Sequence, residues 1–261
     1  RDSEERYRVL FNSIDEGFCI VELKFEGEKA VDYKFLEINP AFHKHTGLGD
    51  VTGKWVTEFL PGHEDFWFET YGRICKTGEA ARFENPASAL DRIYDLYAFR
   101  VDDPEDQHVA ILFTDITQRK RQEQNLAFLA DVSGELTRLT TVDEIMQTVG
   151  AMIGDYLKVS SCSFIDVDEG KHELTVTHSW TVVGMPNQLR TYSISDDPDD
   201  VFVNQHRKGQ TVIVCNMTTD PRTKGAVPED TGVHAFVTVP FHRAGEWKHM
   251  LSMTDSSPRE W

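Results

Sequence analysis

The side chains able to do chemistry are scattered along this chain rather than grouped. Of its ten histidines, His43 and His45 are two apart and point to different sides of a helix. His63 precedes Glu64 and Asp65 at a helix start, the place of a solvated or capping histidine. His172, His178, His206, His234, His242 and His249 contain no i,i+4 pair, the spacing that lets two imidazoles on one helix face share a metal. The acidic run Asp196-Asp197-Pro198-Asp199-Asp200 reads as a solvated loop. Phe66-Trp67-Phe68 reads as half core and half surface of a helix. Cys19, Cys75, Cys162 and Cys215 are far apart and form no C-x-x-C pair, so buried reduced thiols of a cytosolic protein are expected. No G-x-S-x-G elbow, P-loop or H-E-x-x-H is present, and neither is a phosphoacceptor His-Glu helix, an ATP lid or a Gly-Gly-Asp-Glu-Phe cyclase signature. No catalytic residue and no metal site is expected.

The elements that must position these residues fall into two groups. In the first, a helix is predicted over Glu4 to Ser13, with Tyr7, Leu10, Phe11 and Ile14 on one face. Strands follow at Phe18 to Lys24 and Tyr33 to Ile38, about the turn Glu26-Gly27-Glu28. Asn39-Pro40 stops the second and opens a short helix over Ala41 to Lys44. A longer helix fits His63 to Lys76, closed by Gly78. Strands at Ala81 to Asn85, Arg92 to Val101 and His108 to Thr114 complete the group, with Asp103 to Asp106 turning between the last two.

Thr117 to Asn125 is an unbroken polar run with high helix propensity. Apolar residues resume at Leu126, and Leu129, Val132, Leu136 and Leu139 fit heptad a and d positions, with Gln122 and Asn125 before them. In the second group, Thr141 to Leu157 reads as a helix with Thr141 as N-cap and Glu144 completing a capping box. Strands are predicted at Ser161 to Val167, Glu173 to Trp180, Thr211 to Cys215, Ala235 to Arg243 and Trp247 to Thr254, with a short helix over Asp200 to Lys208. The fold class is α+β, with two antiparallel-sheet domains joined by a helical linker.

Composition limits the partners. The 261 residues carry 27 Lys and Arg against 44 Asp and Glu, a net charge of -17. Such a chain lacks the basic footprint of a nucleic-acid binder, and an anionic membrane surface repels it. Arg119-Lys120-Arg121 is its longest basic cluster. No stretch approaches the roughly 18 apolar residues of a membrane span. The chain begins with Arg rather than Met and reads as a fragment of a longer protein.

About residues 3–117 resemble a PAS domain. The resemblance rests on Ile14-Asp15-Glu16-Gly17-Phe18, Phe35-Leu36-Glu37-Ile38-Asn39-Pro40-Ala41-Phe42, Gly53-Lys54, Lys76-Thr77-Gly78-Glu79 and Arg82-Phe83-Glu84. It closes on Asp115-Ile116-Thr117, which resembles the triplet that ends PAS domains and leads into a signalling helix. Residues from about 126 resemble a GAF domain, through the 141–157 helix, Phe164-Ile165-Asp166, Val237-Thr238-Val239-Pro240-Phe241 and Pro258-Arg259-Glu260-Trp261. The expected organisation is a PAS-like domain over 1–117, a linker over 118–140 and a GAF-like domain over 141–261, with the closing GAF helix following Trp261.

The resemblance implies a sensory and regulatory module of a bacterial signal-transduction protein, most like that of a sensor histidine kinase. The alternatives are the regulatory module of a cyclic-di-nucleotide cyclase or phosphodiesterase, or a ligand-free dimerisation scaffold. It implies a cytoplasmic homodimer, a small-molecule ligand or partner surface, and a downstream catalytic domain in the same chain. The ligand-binding residues and the cofactor are left open. The reactive Cys motif of light-oxygen-voltage domains is absent, as are the Asp-Ile-Pro triplet and Cys-His of phytochromes. Neither Cys19 nor Cys75 has an adjacent His or Arg, so no covalent chromophore is expected. Asp115 and Thr117 are the expected signal-relay residues, with Thr117 as N-cap of the linking helix and Arg73 or Arg100 as the partner of Asp115.

Overall fold

A computed structural model describes residues 2–197, 199–223 and 229–261. Pro198, within the acidic run, lies outside them, as does the side chain of Tyr7. The chain divides into two units, 1–125 and 126–261.

The first unit opens with helix α1 (Asp2–Ser13) and strands β1 (Gly17–Glu26) and β2 (Lys29–Ile38). Helices α2 (Pro40–Thr46), α3 (Val56–Phe59) and α4 (Asp65–Thr77) come next, then strands β3 (Ala81–Ala87), β4 (Arg92–Arg100) and β5 (His108–Asp115). All pairings are antiparallel, in the order β2-β1-β5-β4-β3. Burial alternates along β1, so one sheet face takes the core. Val21, Leu23, Phe35, Leu96 and Ala98 from that face meet Trp67, Phe68, Tyr71 and Ile74 of α4. Asn39 caps α2, its carbonyl oxygen accepting from Phe42 N–H, with Pro40 at the first helical position. The same side chain accepts from Phe18 N–H and donates to Glu16 O, tying the segment before β1 to the sheet. Gly47 and Gly78 close α2 and α4 with φ of 73° and 72°, where a Cβ would strain the backbone.

Helix α5 (Thr117–Leu136) crosses the division between the units. The second unit continues with helix α6 (Val142–Leu157) and strands β6 (Ser161–Asp168), β7 (Glu173–Thr181) and β8 (Thr191–Ser193). Helix α7 (Val201–Arg207) and strands β9 (Val212–Val214), β10 (Ala235–Arg243) and β11 (Glu246–Asp255) complete it. The antiparallel sheet runs β8-β7-β6-β11-β10-β9. Thr141 and Glu144 form the expected capping box of α6. Gly150 and Gly154 let α6 lie on Trp180: a Cβ at Gly154 would fall 1.9 Å from the indole.

The α+β class with two antiparallel sheets is as expected. Strand β8 and helix α3 were not anticipated, because three and four residues give no readable period. Leu139 lies outside α5, which ends at Leu136, so the heptad spacing outruns the helix. Helix α4 begins two residues after His63, with Glu64 at the N-cap position. Cys19, Cys75 and Cys162 are buried, but Cys215 is only partly so. No helix among the described residues is long and apolar enough to cross a membrane.

Candidate functional site

The junction between β5 and α5 gathers more specific polar contacts than its exposure would suggest. Asp115 is the last residue of β5 and pairs with Tyr94 of β4. Its Oδ1 accepts from Thr117 N–H at 2.9 Å and from the Thr117 hydroxyl at 2.5 Å. Its Oδ2 accepts from Arg92 Nη1. Thr117 Oγ1 accepts in turn from Ile93 N–H at 2.9 Å, and Ile116 N–H donates to Ile93 O at 2.8 Å. The sheet ladder therefore runs directly into the first turn of α5.

His45 joins this knot from α2. Its Nδ1 accepts from Asp115 N–H at 3.1 Å, which leaves Nε2 to carry the proton and donate to Asp15 O at 2.9 Å. Its backbone carbonyl accepts from Arg92 Nη1 at 2.9 Å and from the Tyr94 hydroxyl at 3.1 Å. One imidazole thus bridges the segment after α1 and the last residue of β5. Burial pushes the Asp115 carboxyl up, but the Thr117 and Arg92 hydrogen bonds outweigh it, leaving the group below the usual Asp value.

The basic run of α5 is bound to its own unit. Arg119 and Lys120 both reach Glu84 of β3, and Arg121 reaches Asp91. Such largely exposed pairs add little to stability.

The geometry corrects three expectations. The partner of Asp115 is Arg92; Arg100 donates instead to Cys75 O, and Arg73 is exposed. Thr117 is no N-cap: its hydroxyl serves Asp115 and Ile93, and Asp115 caps the helix. His63 is neither solvated nor capping: it is buried, with Nε2 2.8 Å from the Tyr33 hydroxyl and its ring stacked on Trp67. Arg92 was findable in the sequence. The turn at Asp103–Asp106 folds β4 back along β5, which places the start of β4 beside the end of β5. His45 carried no such signal, because its role depends on where α2 packs.

Inside the first unit, His63, Tyr33, Phe35, Phe42, Leu96 and Ile111 line part of a cavity of about 60 Å³. Burial pushes the thiols of Cys19, Cys75 and Cys162 up, away from the thiolate. The described residues contain no group of three or more His, Cys, Asp or Glu able to hold a metal ion.

Two antiparallel α+β units define the class of fold. Residues 5–79 match the family model of the PAS domain. Among solved structures, the chain is similar to the chromophore-binding domain of the Stigmatella aurantiaca bacteriophytochrome, at 13% identity over 94% of this chain and 87% of that one, TM-score 0.44. It is also similar to the phycocyanobilin-bound GAF domain of a cyanobacterial phytochrome, at 14% identity over 53% and 82%, TM-score 0.44. The GAF domain of a Coxiella burnetii phosphoenolpyruvate-protein phosphotransferase matches at 14% over 52% and 80%, TM-score 0.43. No curated protein matches the chain. These comparisons correct the expectation that no covalent chromophore is present, since two of the three structures belong to chromophore-bearing proteins.

Proposed function

We propose that the chain is the sensory and regulatory module of a bacterial signal-transduction protein, a cytoplasmic sensor histidine kinase. In this reading a small ligand or partner surface biases two arrangements of the β5–α5 junction. Helix α5 passes that bias to a catalytic domain of the longer protein. Such coupling requires a ligand with different affinity for the two arrangements. The module works as a homodimer through α5 and makes no contact with nucleic acid or membrane.

The observation that carries the reading is the Asp115 knot. A plain capping role calls for one side chain, whereas here the Asp115 carboxylate of β5, the Arg92 guanidinium of β4 and the His45 imidazole of α2 converge at the junction with the Thr117 hydroxyl. The test uses the full-length protein with Asp115→Ala. Simple capping predicts a cost of about 0.5–2 kcal/mol with an unchanged response. A relay predicts output that is constitutive or unresponsive while the fold persists. Normal melting together with normal regulated output would remove the relay. Phosphate transfer from ATP to a histidine is the expected activity; formation or hydrolysis of a cyclic dinucleotide would replace the kinase with that class.

A further inference from the structure

The relay leaves one wall of the cavity in the first unit unexplained. His63 has a side chain only 7% exposed, and its Nδ1 has no hydrogen-bond partner. Burial keeps the ring neutral, pushing its pKa down to about 4. A neutral imidazole donates through one nitrogen and accepts through the other. If Nε2 donated to the Tyr33 oxygen, both the Tyr33 proton and Nδ1 would lack partners. If Tyr33 donates to Nε2, only Nδ1–H is left over, and that arrangement costs less. Glu64 Oε2 stands 3.9 Å from Nδ1, beyond hydrogen-bond reach. The Glu64 carboxylate is already engaged by Trp67 Nε1–H at 2.9 Å and Ser88 N–H at 2.6 Å. Two other polar wall groups are also committed: the Thr46 hydroxyl donates to Phe42 O and the Tyr94 hydroxyl to His45 O.

An orphaned donor on the wall of an aromatic cavity specifies what should fill it. An apolar cavity of about 150 Å³ takes a benzene, and one water occupies about 30 Å³ of liquid. A volume of about 60 Å³ therefore suits about two to five heavy atoms. A charged guest would lose its hydration with no counter-charge to replace it. We propose that this cavity binds a neutral molecule of about two to five heavy atoms whose single acceptor takes the hydrogen bond from His63 Nδ1, the class of short ketones, aldehydes and amides. The proposal rests on the sensory reading and names its ligand class.

The test titrates the full 261-residue chain with acetone and with 2-methylpropene, which has the same shape and no acceptor. The readout is the NMR signal of the Trp67 indole N–H, assigned by its loss in Trp67→Phe, with the side-chain ¹⁵N shifts of His63. Acetone is expected to bind up to about tenfold more tightly, the worth of one net hydrogen bond. His63→Phe should abolish that preference while 2-methylpropene still binds. The bulkier 3-pentanone should not bind, a comparison that needs no variant. Equal binding of acetone and 2-methylpropene to the native chain would overturn the acceptor assignment and leave the sensory reading standing. Binding of neither would overturn the cavity as a ligand site. The relay is judged separately by Asp115→Ala.

Discussion

Three buried or half-buried ionisable groups, Asp115, His63 and His206, tie stability to pH in one direction. Burial pushes both histidines down to about 4. His206 is stacked on Trp247 and hydrogen-bonded to Thr238. Each is neutral when folded, while the unfolded chain takes up a proton near pH 6.5. Stability is therefore full above about pH 6.5 and falls as pH drops toward about 4, by up to about 3 kcal/mol per histidine. The Asp115 carboxyl lies below its ordinary value, so its contribution is present above that value and is lost as pH falls through the folded one. Urea midpoints at a series of pH values between about 7 and 3 measure the loss, a range that spans the ordinary His and Asp values. Replacing His63 with Phe should flatten the slope, and Asp115→Asn should remove only its most acidic part. An unchanged slope in His63→Phe would show that His63 titrates normally. At this scale the sequence displayed Asp115 and Thr117, because their triplet is contiguous. It hid His45 and His63, whose roles arise from packing between distant segments.

Helices and strands were legible where their signals are local. The α6 capping box lies within four residues, and β1, β5, β10 and β11 read directly from their apolar runs and bounding turns. The end of α5 was not legible, because polar and apolar residues continue past Leu136 with no Gly or Pro to stop them. The glycines inside helices show how context decides a side chain's effect. Gly134 of α5 has nothing within 4 Å of an added Cβ, so Gly134→Ala should stabilise by about 0.5–1 kcal/mol through helix propensity. Gly154→Ala gains the same propensity but drives its methyl into Trp180, with ring atoms at 1.9 Å and 2.5 Å. Overpacking of this kind costs about 1–3 kcal/mol, so the net effect is destabilising. Thermal melting of the two variants should move in opposite directions; equal shifts would mean that the indole swings away freely.

For the whole molecule, the proposed dimer must form against its own charge. Each copy carries a net charge of -17, so two copies repel one another. The basic residues nearest the seam offer little relief, since Arg119, Lys120 and Arg121 are already held by Glu84 and Asp91. What favours association is apolar surface: Leu126, Leu129 and Leu136 of α5 are 68%, 57% and 39% exposed. Phe128 is not part of that surface, because its ring stacks on Tyr156 of α6 at 4.2 Å. Apolar contact is insensitive to screening, while the repulsion weakens as the Debye length falls from about 10 Å at 0.1 M salt to about 3 Å at 1 M. The dimer should therefore tighten as salt rises, the reverse of an interface held by ion pairs. Light scattering across a salt series measures this, with Leu129→Glu and Leu136→Glu combined as the disrupting variant. A dimer that loosens with salt would move the interface to charged residues. A native chain that stays monomeric at tens of micromolar in high salt would remove the α5 seam, and an undiminished dimer in the double variant would relocate it.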